Sequence, residues 1–174
     1  MLLMPEPREQ VPFLVRAAQK GHGPAFESLY RAFSGMVHGV LLAHVRYSDA
    51  EDLMQEVFLR AMQQLDRLRE PEAFGGWLCA IARRAAFDHH RGARAMEELP
   101  AEVAGGDRPD GTAFEVLDRI RELPESYRET LMMRLVEGMT GPEIAARTGL
   151  TPESVRVNLC RGMKLLRERL EGMQ

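Results

Sequence analysis

The chain has 174 residues, of which 45% are hydrophobic and only 6% aromatic, so it has enough apolar material for a packed core and wholesale disorder is excluded. Its net charge of −3 excludes a chain that is basic throughout, and its two distant cysteines, Cys79 and Cys160, exclude a disulfide framework. Alanine, leucine, methionine, glutamate and arginine dominate, with few runs of alternating β-branched residues, which predicts an all-α fold.

Nothing in the sequence indicates a membrane segment. The N-terminal stretch lacks a basic region followed by a long apolar run, and no apolar run reaches about 18 residues. We therefore expect neither a signal peptide nor a membrane-spanning helix. Two unpaired cysteines also fit a reducing compartment, so a cytoplasmic location is expected, with both thiols semi-buried.

The N-terminal third is predicted to be helical. Apolar side chains over residues 12–46 recur at spacings of three and four, which indicates one or two helices. The next segment reads as a capping box, with Ser48 at the N-cap and Glu51 three residues later, which predicts a helix from there to about Arg69. The polar face of that helix opens with three acids: Asp49, Asp52 and Glu56.

A basic helix is predicted to follow. Pro71 and the two glycines at 75–76 indicate a loop. After this loop, Trp77 is predicted to begin a helix that ends near Gly92. Its tripeptide at 88–90, Asp-His-His, resembles a metal site for phosphoester hydrolysis. Adjacent helical residues point about 100° apart, however, and no strand pattern supplies further ligands. Neither a nucleophile–base pair nor a phosphate loop is visible, so we expect no catalytic residues, no metal and no cofactor.

Charge and composition divide the chain into two parts. Residues 95–112 hold two prolines, three glycines and five acids with one arginine, which predicts a flexible acidic linker between two small helical domains, 1–94 and 113–174. The flanking segments are basic. Residues 73–94 carry four arginines against one aspartate, and residues 138–174 carry six basic against four acidic groups. The overall negative charge therefore hides two basic segments.

The C-terminal part predicts a helix-turn-helix. Helices are predicted over 114–123 and 127–137, and a capping box over 140–143 precedes a short third helix. A glycine turn at 149–150 follows, and Thr151 is predicted to cap a longer last helix. A short helix, a glycine turn and a longer helix in this order are typical of the helix-turn-helix.

Such a motif would place the last helix in the major groove of DNA. Arg156 has the donors for a bidentate contact to guanine, and Asn158 has the amide for adenine. Basic side chains around them are suited to phosphates. The candidate DNA-contacting positions of this part are Arg147, Thr151, Glu153, Ser154, Arg156, Val157, Asn158, Arg161 and Lys164.

Three stretches of the chain resemble the extracytoplasmic-function group of bacterial sigma factors, the dissociable promoter-specificity subunits of RNA polymerase. Residues 49–58, DAEDLMQEVF, resemble the polymerase-binding helix of sigma region 2. Residues 74–84 and 88–91 resemble its promoter-melting and minus-ten segment. Residues 123–170 resemble region 4, which binds the minus-thirty-five element. Together the three stretches cover most of the chain, in the order of that family.

The resemblance implies a protein that binds core RNA polymerase, directs it to specific promoters and helps to open the DNA, without being an enzyme itself. It further implies an anti-sigma partner, with no membrane insertion and no small-molecule substrate. It assigns polymerase binding to Asp49, Asp52, Gln55 and Glu56, although first-turn acids also compensate a helix dipole. It assigns minus-ten recognition and melting to Phe74, Trp77, Arg83, Arg84, Asp88, Arg91 and Arg94, with core packing as the alternative for Trp77.

The chain departs from the family pattern in two places, and two other classes of function stay open. Residues 89–94 are less basic than the family usually is there, and the triplet at 156–158 is Arg-Val-Asn where a Lys-Ser-Arg-like triplet is common. One alternative is a stand-alone helix-turn-helix regulator that does not require polymerase. The other is a sigma-like interaction protein that has lost DNA binding. Binding to core polymerase tests the first, and transcript initiation tests the second.

Overall fold

A computed structural model describes residues 7–97 and 111–172, and within these ranges every regular element is helical, which confirms the all-α prediction. The first range holds α1 (Pro7–Gln19), α2 (Gly23–Leu42), α3 (Tyr47–Gln64) and α4 (Phe74–Glu97). The second holds α5 (Gly111–Arg121), α6 (Glu125–Leu135), α7 (Gly141–Thr148) and α8 (Pro152–Glu171). Single 3-10 turns at Leu65–Arg67 and Pro71–Ala73 connect α3 to α4. No helix within the described ranges is long and apolar enough to cross a membrane.

The start of α3 differs from the prediction. The N-cap is Arg46, which makes no side-chain capping bond, so the capping box assigned to Ser48 and Glu51 is wrong. The carbonyl of Arg46 accepts from the amides of Asp49 and Ala50, which places Ser48 inside the first turn. Val45 before the helix and Ala50 within it are both buried. The packing of these two residues, and not the capping signal of the local sequence, determines where α3 begins.

The ends of α3 and α4 also differ from the prediction. α3 stops at Gln64, because the chain turns there to bury Leu65 and Leu68, whose carbonyl oxygens accept hydrogen bonds of 2.9 and 2.8 Å from the side chain of Gln19. α4 begins at Phe74 and continues to Glu97, past Gly92. The predicted linker lies mostly outside the described residues, and its two ends, 95–97 and 111–112, are helical.

α2 is the central helix of the fold. It carries apolar residues around most of its circumference, as expected for a helix that is buried on several sides. It packs against α1, α3 and α4 from the first part of the chain and against α6 from the second part. The apolar cores of the two parts are therefore continuous, and Met132, Met133 and Ile144 belong to the same cluster as Leu29 and Phe33.

The C-terminal capping and turn predictions are confirmed. The Thr140 hydroxyl accepts from the amide of Glu143, whose carboxylate accepts in return from the Thr140 amide. Gly149 ends α7 in the left-handed conformation, with φ of 79°, which glycine adopts without a steric cost. The Thr151 hydroxyl then caps α8. The side chain of Val155 is buried in the core between α7 and α8. α7 and α8 thus form the helix-turn-helix.

Candidate protein and nucleic-acid interfaces

The acidic face of α3 combines exposed and engaged side chains. Asp52 and Gln55 are exposed, whereas Asp49 is half-buried and its carboxylate lies 3.4 Å from the Nε2 atom of His89 on α4. Glu56 forms an ion pair with Arg60, one turn along the same helix. The spacing of the four residues places them along one side of α3. Asp52 and Gln55 are the two that a protein partner reaches most directly.

Arg60 joins this face of α3 to α4. Its guanidinium donates to Asp88 at 3.1 Å as well as to Glu56, and these carboxylates, Asp88 foremost, raise the pKa of Arg60. Asp88 also lies 3.7 Å from Arg91. The sequence assigned Asp88 to the promoter surface, but in this arrangement its carboxylate holds α4 to α3.

The tripeptide at 88–90 has three separate sets of partners. While Asp88 accepts from Arg60, His89 lies near Asp49, and the Nε2 atom of His90 lies 2.7 Å from the carbonyl oxygen of His44. The three side chains are not directed at a common point. These three side chains are therefore not arranged to bind a shared metal ion.

The two aromatic residues assigned to melting belong to the protein interior. Phe74 is 0% exposed and meets the edge of Phe33, with ring centroids 4.9 Å apart, so it is out of reach of DNA in this arrangement and its assignment to melting stays a prediction. Trp77 is half-buried, with its ring centroid 5.8 Å from that of Phe74. Its exposed side lines a cavity of about 790 Å³, so both interpretations of Trp77 stay open.

This cavity lies between the two parts of the chain. Its first wall is formed by residues of the segment 67–76, which connects α3 to α4 and includes the start of α4. Its second wall is the end of α7, residues 146–149. Gly75 is at the junction, since a β-carbon there would lie 1.7 Å from the carbonyl oxygen of Arg147. The contact between α4 and α7 therefore borders this cavity.

Arg83 is engaged by a carboxylate from the second part of the chain. Its Nε and Nη2 atoms donate to the two oxygens of Glu129 at 2.8 and 2.7 Å, which is a bidentate ion pair. The Nε2 atom of His44 lies 3.0 Å from the same carboxylate. Burial of Glu129 opposes its ionisation, but the hydrogen bonds from Arg83 and His44 outweigh burial and lower the pKa of Glu129. The hydrogen bonds with Glu129 likewise raise the pKa of Arg83.

His44, Glu125 and Glu129 form a group that could in principle hold a metal, because their ligand atoms lie within 4.8 Å of one another. Both oxygens of Glu129 already accept from Arg83, however. A guanidinium at that distance repels a cation. The geometry fits an ion pair better than a metal site.

Phe87 is a candidate that the sequence analysis missed. It is 65% exposed on α4, three residues after Arg84 and four before Arg91, so all three share one side of the helix. An exposed aromatic ring among arginines is the arrangement that binds single-stranded nucleic acid. The sequence did contain a signal for this residue. The apolar positions that α4 buries lie on another side of the helix, so Phe87 had to point outward. The side chain of Arg94 lies outside the described residues.

On α8 the candidate residues divide into two groups. Glu153, Arg156, Arg161 and Lys164 are exposed, and Lys164 lies 3.9 Å from Glu168. Thr151 and Ser154 are joined by a hydrogen bond of 2.8 Å between their hydroxyls, which belongs to the cap of the helix. Among the candidate residues of this helix, Arg156 and Arg161 are therefore the arginines that DNA can approach freely.

Three further candidates face the first part of the chain or the interior. Val157 and Asn158 are half-buried, and Asn158 lines a cleft together with Cys79 and Arg83 of α4. The guanidinium of Arg147 lies over the ring of Phe33, 5.3 Å from its centroid.

The two cysteines differ from the prediction of two semi-buried thiols, since Cys79 is buried and Cys160 is exposed.

Comparison with known proteins matches both parts of the chain. The family model for Sigma-70 region 2 matches residues 29–96, and the model for Sigma-70, region 4 matches residues 113–166. The RNA polymerase sigma factor CarQ of Myxococcus xanthus is 34% identical over 163 residues, which cover 88% of this chain and 94% of that protein.

Two solved structures share the fold. CnrH, in complex with the cytosolic domain of CnrY, matches with a TM-score of 0.62 at 24% identity, covering 95% of this chain and 99% of that chain. The sigma factor RpoE from Bartonella quintana, in complex with the anti-sigma factor NepR, matches with a TM-score of 0.53 at 16% identity, covering 83% and 95%. The helical fold of this chain is thus shared with solved proteins.

Proposed function

Because the chain belongs to the extracytoplasmic-function family of RNA polymerase sigma factors, we propose that its two helical units divide the contacts of one initiation event between them. As a sigma factor it binds core RNA polymerase and directs it to specific promoters for transcription initiation. The observation that carries this function is the presence of regions 2 and 4, in that order, in a single chain. A stand-alone helix-turn-helix regulator is not favoured, since it would account for region 4 alone.

The proposed division of the chain is 1–94 for region 2, 95–112 for the linker and 113–174 for region 4. The limits of the two matched models, at 96 and 113, support this division. The limits of the matched models differ only slightly from the proposed boundaries. The helix α4 itself continues to Glu97.

The polymerase-binding surface is proposed to be the acidic side of α3. Asp52 and Gln55 form its accessible centre, and Asp49 and Glu56 flank them while also contacting α4 and Arg60. Exposed carboxylates of this kind increase the rate of association with a basic partner surface and help to select it.

Promoter contacts are proposed on two helices. On α4, the exposed Arg84 and Arg91 are suited to phosphates, and Arg83 joins them when it is released from Glu129. On α8, Arg156 is exposed in the first half of the recognition helix, where a side chain can reach base edges, and Arg161 is suited to the DNA backbone.

Three accompanying proposals follow from the family. Sigma factors in general are not enzymes, and we expect this chain to have no catalytic activity of its own. It is proposed to act in the cytoplasm, where it meets polymerase. RpoE, which shares the fold, was crystallised with the anti-sigma factor NepR, and we propose that an anti-sigma protein binds this chain too.

The test is transcription in vitro with bacterial core polymerase and fragmented genomic DNA from the source organism, with and without the purified chain. Discrete new start sites that depend on the chain are the expected result, and their upstream sequences give the promoter. Tight binding to core polymerase without new transcripts would indicate the interaction protein that has lost DNA binding. Absence of both would overturn the proposed function.

A further inference from the structure

Two side chains of the proposed polymerase surface are tied to α4. Asp49 lies 3.4 Å from the Nε2 atom of His89. Glu56 is linked to α4 through Arg60, which pairs with Glu56 on its own helix and with Asp88 on α4. The surface proposed to bind polymerase and the helix proposed to bind promoter DNA are therefore joined by side-chain contacts.

The contacts through Arg60 form a row of alternating charge. Arg60 donates through Nη2 to Glu56 and through Nη1 to Asp88, the latter at 3.1 Å. The other carboxylate oxygen of Asp88 lies 3.7 Å from the Nη2 atom of Arg91. We call these four residues the charge row. It begins at a carboxylate proposed to face polymerase and ends at a guanidinium proposed to face DNA.

The two ends of the charge row are open and its middle is more covered. The side chains of Glu56 and Arg91 are 43% and 75% exposed, so partners can reach both ends directly. Those of Arg60 and Asp88 are 32% and 28% exposed. Charges that are partly buried are screened less by water and salt than charges at the surface. A rearrangement in the middle of the row can therefore be felt at its ends.

The links of the charge row differ in strength. Asp88 accepts a hydrogen bond from Arg60, whereas its separation of 3.7 Å from Arg91 is beyond hydrogen-bond range. An ion pair with an exposed partner at such a distance contributes little. The contact between Asp88 and Arg91 is therefore the link that is broken most easily.

Arg60 is able to redistribute its donors, because its guanidinium is a planar fork with five N–H groups. In the free chain it divides them between Glu56 and Asp88. A basic group of polymerase that pairs with Glu56 withdraws this carboxylate from Arg60. A second guanidinium nitrogen then becomes free for Asp88, and two parallel hydrogen bonds to one carboxylate are stronger than one.

We propose that Arg60 is a positioning residue that couples polymerase binding at Glu56 to DNA binding at Arg91. When polymerase engages Glu56, Arg60 turns to Asp88 and neutralises it more completely. Asp88 then attracts Arg91 less and repels DNA phosphates less, so Arg91 is free to bind them. This inference rests on the proposed assignments of Glu56 to polymerase and of Arg91 to promoter DNA.

The coupling acts in both directions. If polymerase at Glu56 strengthens DNA binding at Arg91 by some factor, DNA strengthens polymerase binding by the same factor. The link that changes is the exposed pair of Asp88 and Arg91, which limits the size of the effect. A factor of about twofold to fivefold is expected from the usual contribution of such pairs.

The first test measures this factor with core polymerase and the full-length chain. The affinity for core polymerase is titrated with and without a saturating single strand of a minus-ten sequence, taken from a promoter that the transcription assay identifies. The strand also contacts polymerase itself, so the enhancement is compared between the parent and Arg60→Lys. Lysine keeps the charge but lacks the planar fork that pairs with a carboxylate through two parallel hydrogen bonds. We expect the enhancement to be about twofold to fivefold smaller in Arg60→Lys.

Urea unfolding separates this role of Arg60 from a purely structural one. Arg60→Lys retains a cation between α3 and α4, so its free energy of unfolding should stay close to that of the parent. An enhancement as large in Arg60→Lys as in the parent would overturn the coupling. Failure of the parent itself to bind core polymerase would overturn the proposed function, so the two failures are distinguishable.

The second test leaves Arg60 in place and reproduces the effect of polymerase on Glu56. Glu56→Gln removes the charge that holds one side of Arg60, so that Arg60 turns to Asp88 without polymerase. We expect this variant of the free chain to bind the minus-ten single strand about twofold to fivefold more tightly than the parent. Glu51→Gln is the matched control, because Glu51 is an exposed acid of the same helix that is not a partner of Arg60.

A cycle of double variants shows whether the gain in DNA affinity passes through Arg91. In an Arg91→Ala background, Glu56→Gln should give no gain beyond that of Glu51→Gln, because the guanidinium that is to be released is missing. A gain that persists without Arg91 would overturn the coupling. So would equal gains from Glu56→Gln and Glu51→Gln when Arg91 is present.

Discussion

Gly75 at the start of α4 lies so close to Arg147 at the end of α7 that a β-carbon on the glycine would stand 1.7 Å from the arginine's carbonyl oxygen. The neighbouring Gly76 has more room, since a β-carbon there would lie 3.5 Å from the carbonyl oxygen of Thr148, an ordinary contact. The two adjacent glycines of this helix thus differ in whether a residue with a side chain can replace them. The clash at Gly75 comes from α7 resting on α4, since the nearest atom outside α7, on Phe33, would lie 3.3 Å from the added β-carbon.

Gly75→Ala is therefore expected to destabilise the chain by about 1–3 kcal/mol, as overpacked sites do, or to displace α7. Gly76→Ala is expected to be neutral or to stabilise by up to about 1 kcal/mol, since alanine is the better helix former. Denaturant unfolding of both variants measures the two free energies, and hydrogen exchange of α7 reports displacement. Equal stability of the two variants would show that α4 and α7 are not in contact in solution.

The pH dependence of the Arg83–Glu129 pair follows from the lowered pKa of Glu129. A carboxyl whose pKa is lower in the folded chain stabilises that chain above its unfolded pKa of about 4.3, and this contribution is lost as the pH falls through the folded pKa. The parent should be about 1–2 kcal/mol more stable than Glu129→Gln at pH 7. Urea unfolding should show this difference shrinking below about pH 4. A difference that does not depend on pH would contradict the ion pair.

Local signals in the sequence predicted the C-terminal unit well. Thr140, Glu143, Gly149 and Thr151 act through neighbours three or four residues away, so their roles can be inferred from spacing alone. Ser48 carried the same kind of signal and the inference was wrong, because burial of residues around it set where α3 begins.

Contacts between distant residues could not be inferred in the same way. Arg83 and Glu129 are 46 positions apart, and no local spacing relates them until α6 is placed against α2. Phe74 was assigned to DNA from its place in a motif, although an apolar ring has more to gain from the core. Motif resemblance indicated the candidate segments, whereas packing decides which of their side chains are accessible.

Charge reversal on α3 tests the polymerase surface. Asp52→Lys is expected to weaken binding to core polymerase about tenfold or more, because a like charge then faces the basic partner surface. Asp52 is exposed, so the folded state should be little affected. Co-purification and titration with core enzyme measure the change. Asp66→Lys reverses the charge of an exposed residue beyond the end of α3, away from the proposed surface, and equal losses in both variants would argue against a defined surface.

Arg156→Ala tests the recognition helix. A bidentate contact to a base edge discriminates by about 1–3 kcal/mol, so holoenzyme with this variant should bind the minus-thirty-five element about fivefold to 150-fold more weakly. Arg167→Ala removes another exposed arginine of α8, about three turns beyond Arg156, and should have a much smaller effect. Gel-shift titrations against the wild-type element and one altered at single positions separate base reading from phosphate contact. Unchanged affinity of Arg156→Ala would exclude the residue from promoter recognition.

Phe87 is expected to act on melted DNA and to have no role on duplex DNA. Stacking of one base on an aromatic ring is worth about 1–3 kcal/mol, so Phe87→Ala should slow or weaken open-complex formation while the closed complex binds normally. The ring is 65% exposed, hence its loss should scarcely change stability. Fluorescence of 2-aminopurine in the minus-ten region follows opening, and Phe87→Trp should retain most of the activity. Phe13→Ala removes an equally exposed ring on α1 and serves as the control. If Phe87→Ala opens promoters at the parental rate, the arginines on either side of it suffice and the ring has no part in melting.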